Sequence, residues 1–546
     1  MPDLDTGSLL KQLLYDPKNP LLFNNGFFVF FFTLFVILYY SFRNNFAVRR
    51  YIFCFFSLYF FYKASGYFVI WVVIAAVVNY VLSNAIHKQQ KNANKKLLLV
   101  ISIVINLSML FWFKYTNFFI ATCNNLFSTG FHPLNILLPI GISFYTFENL
   151  SYTVDVYQGK FEPAKNFSDY LLFLSFFPKL VMGPIVRASD FVPQVNQPYV
   201  ISETDFAKGF YLIISGLFKK LVISDFITVN FVNYIFDAPG RYTGLENLFA
   251  VYGYAVVIYC DFSGYSDVAI GIARWLGFTI PANFASPYQS KSVTEFWKRW
   301  HISLSSWLRD YLYIPLGGNR NANWFSYLLG ACFFAGTTAG LVSLLHLQWV
   351  WAASVSAGIL LLFLLPGIIK KDRTAVSANF NLLNTMLLGG FWHGASWNFI
   401  IWGALHGIAL AVHKIWMLLT GKTFKNINGS WWYKILAGLL TFHFVCFCWI
   451  FFKAPDFESG MDMLRQIKND FSFNVWSGFY NNYKTVLAMM LLAFAIHIIP
   501  DDWADRFIEK TKRLPLVIYL LLFFGFVAVY AYFKSAEPVM PIYLQF

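Results

Sequence analysis

Apolar runs recur along almost the whole chain and are separated by short polar connections. They fall at 22–41, 51–62, 66–86, 97–120, 134–150, 170–182, 206–232, 248–276, 324–345, 348–369, 382–412, 434–453, 484–499 and 514–533. A helix needs about 20 apolar residues to cross a bilayer, so most of these runs predict transmembrane helices. The runs 51–62 and 170–182 are too short to cross unaided and are expected to be re-entrant, interfacial or one arm of a bent pair. The pattern predicts an all-α polytopic membrane protein with about 11–13 transmembrane helices.

One long stretch departs from this pattern. Residues Pro281 to Arg320 read PANFASPYQSKSVTEFWKRWHISLSSWLRDYLYIPLGGNR, with no run long enough to span and with aromatic residues scattered among charges. Trp300, Leu304, Trp307, Leu308 and Tyr311 fall on one stripe at helical spacing, which predicts an amphipathic helix. Glu295 stands four residues before Arg299, a favourable helical pair. Ser290, Ser292 and Thr294 are candidate N-caps, and Pro315, Gly317 and Gly318 stop the pattern. Such a helix lies on the cytoplasmic surface or dips into the bilayer within protein.

Composition agrees with the membrane assignment. The 546 residues are 58% hydrophobic and 21% aromatic but only 12% charged, with a mean hydropathy of +0.54. Soluble domains carry about 25% charge. The net charge of +14 is spread through short loops and forms no patch with a nucleic-acid-reading motif, so no nucleic-acid partner is expected. Loops held on the cytoplasmic side explain the excess better. By that rule the loops carrying Arg43, Arg49 and Arg50, and Lys88, Lys91, Lys95 and Lys96, are cytoplasmic and the N-terminus is outside. Asp3 and Asp5 replace the basic region of a signal peptide, so Phe27 to Tyr40 is expected to be an uncleaved first membrane helix. The six cysteines show no paired metal spacing, and the histidines form no i,i+4 pair or HExxH motif, so no metal is expected.

Within the apolar stretches a few ionisable residues stand out. His393 lies in LLGGFWHGASWNFIIWGALHGIAL. An ionisable group at membrane depth costs roughly 2.5–3.5 kcal/mol on insertion scales and normally faces protein interior or a path used for function. Gly390 and Gly394 admit close backbone or ligand approach, while Trp392 and Trp397 would wall a pocket. A simple interhelical hydrogen bond is the structural alternative. His301 stands on the amphipathic segment with Arg299, Arg309 and Asp310, where a snorkelling, salt-bridged interfacial helix is equally compatible with the residues. Asp261 and Asp267 in CDFSGYSD are expected to pair with an arginine such as Arg187 or Arg274. His406 and His413 are expected to serve in helix packing, since 13 residues of straight helix would carry His406 about 20 Å from His393.

The runs LPIGISFYTFENLSYTVDVYQGK, FFPKLVMGPIVR, CDFSGYSDVAIGIARWLGF, NFASPYQSKSVTEFWKRWHISLSSWLRDYLYIPLGGNR and GGFWHGASWNFIIWGALHG together resemble the membrane-bound O-acyltransferase (MBOAT) family in its bacterial polysaccharide branch. The likeness is nearest to the type that O-acetylates alginate and more distant to the type that D-alanylates teichoic acid. It covers roughly residues 95–415 as a catalytic core, with N-terminal membrane helices at 1–94 and C-terminal ones at 416–546, all in one membrane domain.

The resemblance implies a ring of membrane helices, with re-entrant and amphipathic helices, around a central cavity lined by His301 and His393, the latter catalytic. It implies a multi-pass protein of the bacterial inner membrane that takes an acyl group, acetyl above all, from acetyl-CoA or an acyl-carrier thioester. The group would pass outward for O-acylation of an extracytoplasmic glycan, with the help of an exported acetyltransferase-like partner protein. No permanently bound cofactor is implied.

The chemistry suits these residues. Attack of a hydroxyl on a thioester needs a base, and histidine titrates near working pH, with burial favouring its proton-accepting neutral form. An oxyanion also needs donors, for which His301, Asn398 or backbone N–H groups are candidates. The phosphates of the donor call for cations, and Lys298, Arg299, Arg309 and Arg320 are the best placed in sequence, although ordinary cytoplasmic retention accounts for each singly. A transporter or channel subunit using the histidines as proton relays, an inactive scaffold, and D-alanyl transfer by the same chemistry are the alternatives.

Overall fold

The computed structural model describes residues 12–17, 20–23, 25–420, 430–534 and 539–544; Asp3 and Asp5 lie outside them. Among the described residues every regular element is helical. Eight helices among the described residues are long and apolar enough to cross a membrane: Phe46–Lys88, Asn92–Phe127, Gly244–Trp275, Trp324–Ser343, Trp349–Ile369, Trp397–Thr420, Trp431–Lys453 and Leu516–Phe533. A ninth is reached if Phe473–Ile498 and Asp502–Thr511, bent by 86°, form one broken span. The protein is a multi-pass integral membrane protein.

The count differs from the 11–13 read from apolar runs for physical reasons. Phe46–Lys88 counts once at 43 residues, but straight it would be about 65 Å long, twice the hydrocarbon thickness. It comprises two 20-residue helices, Phe46–Ser65 and Val69–Lys88, joined by a short turn at Gly66–Phe68. The run 51–62 is therefore one arm of this pair. The first apolar helix, Gly26–Ser41, has only 16 residues, about 24 Å, and falls short of a span. The run 170–182 folds as Phe167–Ser175 and Phe177–Leu180, broken where Phe176 takes φ −50° and ψ 102°.

The chain divides into two compact units. The first comprises Met1–Phe226, Val257–Asn283 and Ile499–Gln545; the second comprises Ile227–Val256 and Phe284–Ile498.

In the first unit, polar side chains that the apolar runs carry find partners inside the protein. Asn79, Ser102, Asn106 and Thr153 are all buried and share hydrogen bonds of 2.8–3.3 Å between three helices, which suits a low-dielectric interior where an unmet polar group is costly. Basic residues of the connections are also tied down. Arg49 donates to the carbonyls of Val195 and Gln197, and Arg50 pairs with Asp169 at 2.8 Å. Buried Glu148 pairs with Lys179 and accepts from the backbone N–H of Val186. Asp261 and Asp267 do form ion pairs, with Lys220 and Lys219 respectively, both at 2.5 Å. Arg274 pairs with Asp205.

In the second unit, helix Arg373–His393 packs against Trp397–Thr420 at very short range. A Cβ on Gly390 would lie 2.3 Å from the carbonyl oxygen of Phe399, and one on Gly403 would lie 2.3 Å from that of Met386. Only glycine fits at either position, and the two backbones meet there. Buried asparagines hold the other side of Arg373–His393. Asn381 donates to the carbonyls of Gly318 and Asn321, Asn384 to the carbonyl of Ser326, and Asn379 to that of Phe363. These ties fix the helix whose last residue is His393.

Candidate active site

The sequence predicted one continuous amphipathic helix through the RWH segment; the chain instead makes two helices with a break at His301. Ser292 caps the first, Val293–Arg299, by accepting from the backbone N–H of Glu295, and the Glu295 carboxylate accepts in turn from the N–H of Lys291. Trp300 is extended, and His301 takes the left-handed conformation, φ 43° and ψ 56°, before Ile302–Leu308 begins. A left-handed residue with a Cβ is strained by about 1–2 kcal/mol and must be held by its surroundings. The stripe residues Trp300, Leu304, Trp307 and Leu308 are buried in protein, so the segment is an internal element and not a surface helix.

The break buries His301 completely (0% exposed) and sets its ring centroid 6.4 Å from that of Trp392. Burial pushes the His301 imidazole down from 6.5 to about 3, so it is neutral across the physiological range. Trp392 in turn stands 5.0 Å from His393, so the two histidines flank one indole.

His393 is buried at the C-terminus of its helix, where Gly394 turns the chain into extended conformation. It also meets Trp402, edge-to-face at 5.1 Å, and Phe452 at 5.4 Å. Trp402 and Phe452 themselves touch Trp449, at 5.9 and 5.2 Å. The sequence reading named Trp392 and Trp397 as walls. Trp397 is 54% exposed, and Trp402 occupies the inward-facing place on the same helix. Asn398 is buried, but its side-chain N–H donates to the carbonyl of Ala454 at 3.0 Å, which ties it to the end of Trp431–Lys453.

His406, expected to lie far from His393, joins the same cluster. The straight-helix estimate fails because the helix ends at His393 and the chain returns through Trp397–Thr420. The His406 ring lies 4.9 Å from Trp402, and its Nδ1 accepts from the indole N–H of Trp297 at 3.2 Å. The i,i+4 spacing of Trp402 and His406 is the sequence signal that would have placed them together. His413 is bonded to Thr294 Oγ1 at 2.9 Å, near the start of Val293–Arg299.

The four cations predicted to meet the donor differ in their surroundings. Lys298 and Arg320 are exposed. Arg299 is partly buried, paired with Glu295 at 2.9 Å and donating to the carbonyl of Ala285 at 3.1 Å. Arg309 is exposed and paired with its neighbour Asp310 at 2.7 Å. Among the described residues no group of three His, Cys, Asp or Glu side chains is arranged to hold a metal ion.

His301 and His393 thus lie in one buried aromatic cluster, on either side of Trp392. The profile of the MBOAT, membrane-bound O-acyltransferase family, matches residues 106–363. The chain is 35% identical over 421 residues to the peptidoglycan O-acetyltransferase of Helicobacter pylori, an alignment covering 72% of this chain and 69% of that one. It is 36% identical over 383 residues to the probable alginate O-acetylase AlgI of Pseudomonas aeruginosa, covering 69% and 61%. It is 28% identical over 328 residues to the teichoic acid D-alanyltransferase of Bacillus subtilis, covering 60% and 71%. The chain belongs to the membrane-bound O-acyltransferase family. It is an O-acyltransferase, which sets aside the channel and transporter alternatives.

Proposed function

We propose that this protein takes an acetyl group from cytoplasmic acetyl-CoA and passes it outward for O-acetylation of an extracytoplasmic polysaccharide at the bacterial inner membrane. The observation that carries this reading is the placement of His301 and His393 on either side of Trp392 in a buried aromatic cluster. The relatives named as peptidoglycan and alginate O-acetylating proteins support acetyl as the group and a cell-envelope glycan as the acceptor. The lower identity to the D-alanyltransferase makes D-alanyl transfer the second choice.

In this reading His393 is the base. The acceptor oxygen attacks the thioester carbonyl carbon while its proton passes to the His393 imidazole; collapse of the tetrahedral intermediate breaks the C–S bond, and the thiolate recovers that proton. His301 stays neutral and acts as a hydrogen-bonding partner beyond Trp392. Lys298 and Arg320, with Arg299 and Arg309, attract the donor phosphates. Residues 95–415 form the catalytic core, and an exported acetyltransferase-like protein completes delivery to the glycan.

The test is purified protein in detergent with acetyl-labelled acetyl-CoA. Release of CoA, or acyl transfer, that disappears in a stably folded His393→Ala variant supports the reading. Turnover that persists in that variant overturns it.

A further inference from the structure

The cluster around His393 is rich in hydrogen-bond donors and short of acceptors. Trp297 and His406 meet through one bond, indole N–H to imidazole Nδ1. Tryptophan can only donate, so Nδ1 of His406 accepts and its proton resides on Nε2. That Nε2, together with the indole nitrogens of Trp402 and Trp449, is buried and has no hydrogen-bond partner among the described residues. The three side chains are contiguous: Trp402 stacks on Trp449 at 5.9 Å and touches His406 at 4.9 Å. An N–H buried without an acceptor loses its hydration uncompensated, and three such groups in one cluster beside a base invite a ligand that brings oxygen acceptors.

We propose that the N–H groups of Trp402, Trp449 and His406 form a subsite for the carbonyl oxygens of a pantetheine thioester, the arm shared by CoA and carrier-protein donors. This inference rests on the reading of His393 as the acyl-transfer base. The donors are neutral and the surroundings aromatic, which suits uncharged carbonyls and excludes the phosphate end of the donor. Trp402 holds the thioester carbonyl, because its ring stands edge-to-face with His393 at 5.1 Å. When the acceptor oxygen bonds to the carbonyl carbon, the C=O π pair moves onto that oxygen and the Trp402 N–H stabilises the charge. When the pair returns, the C–S bond breaks and the sulfur takes the proton held by His393. Trp449 and His406 hold amide carbonyls of the arm.

The experiment compares Trp402→Phe, Trp449→Phe, His406→Leu and His406→Gln in detergent with acetyl-CoA as the probe. Trp402→Phe should lower kcat by about a hundredfold with KM unchanged, as for loss of one oxyanion donor. Trp449→Phe and His406→Leu should raise KM by about fivefold, the scale of one neutral hydrogen bond, and His406→Gln, which can both accept and donate, should restore it. Wild-type kcat and KM in both phenylalanine variants would overturn the proposal, and so would a lowered melting temperature with unchanged kinetics, which would assign the indoles to packing alone. An active His393→Ala variant would instead remove the underlying base assignment, so the two failures are separable.

Discussion

The ring of His301 lies 6.4 Å from the indole of Trp392, with the planes inclined at 56°, and the backbone that carries it there is left-handed. Asparagine tolerates this conformation better than β-branched residues do. His301→Asn should therefore be more stable than His301→Val by about 1–2 kcal/mol, read as a higher melting temperature in detergent. Both variants lose the imidazole and should lower kcat by about 10²–10³-fold, the scale of one lost transition-state hydrogen bond. Equal stability of the two would show that the backbone strain is absent in solution.

Acidity should weaken the fold through the same residue. The folded imidazole is held down at about 3 by burial, whereas in the unfolded chain it returns to about 6.5. Between these values the unfolded chain binds a proton that the folded one does not, so stability rises with pH through this window and levels off above it. Lowering the pH from 7.5 to 5.5 should cost about 1 kcal/mol from this group. Melting curves at the two values check it, and the pH-dependent difference should shrink in His301→Asn. If it does not, other groups carry the acid sensitivity.

Much of this was legible in the chain. Charge-poor composition and long apolar runs announce a membrane protein, and histidines in apolar runs, expensive unless used, nominate a candidate site. The break at His301 was hidden, since Trp300, Leu304, Trp307 and Leu308 fit one helical stripe and no glycine marks the left-handed position. The count of spans was blurred by helices that bury polar groups against protein, such as Arg373–His393 with Asn379, Asn381 and Asn384. Lys219 and Lys220 sit in the apolar run 206–232 and pair with Asp267 and Asp261, partners that the arginine pairing expected from sequence did not include. Trp402 and His406 were missed because only the distance along the chain was weighed, and not the turn after His393.

The cations separate into two groups by their partners, and their variants should separate likewise. Lys298→Ala and Arg320→Ala remove exposed charges and should raise KM for acetyl-CoA by about threefold to tenfold while leaving the melting temperature unchanged. Arg299→Ala removes a side chain that pairs with Glu295 and donates to the Ala285 carbonyl, so its main effect should be a lower melting temperature. Unchanged KM in both Lys298→Ala and Arg320→Ala, measured at low salt where screening is weakest, would return these charges to topology alone.

The glycine contact between the two helices around His393 sets the position of the site. A methyl group on Gly390 would lie 2.3 Å from the Phe399 carbonyl oxygen and 3.1 Å from the Gly403 Cα, both backbone atoms that cannot rotate away. The helices would have to separate by about 1 Å, at a typical overpacking cost of about 1–3 kcal/mol. Such a shift would move Trp402 relative to His393, because the two sit on opposite sides of this contact, and a displacement of about 1 Å can cost a hundredfold in rate. Gly390→Ala and Gly403→Ala should therefore lower both the melting temperature and kcat. Gly358→Ala is the control, since a Cβ there meets no atom within 4 Å. If Gly390→Ala melts early yet turns over normally, the close helix contact stabilises the fold without setting the geometry at His393.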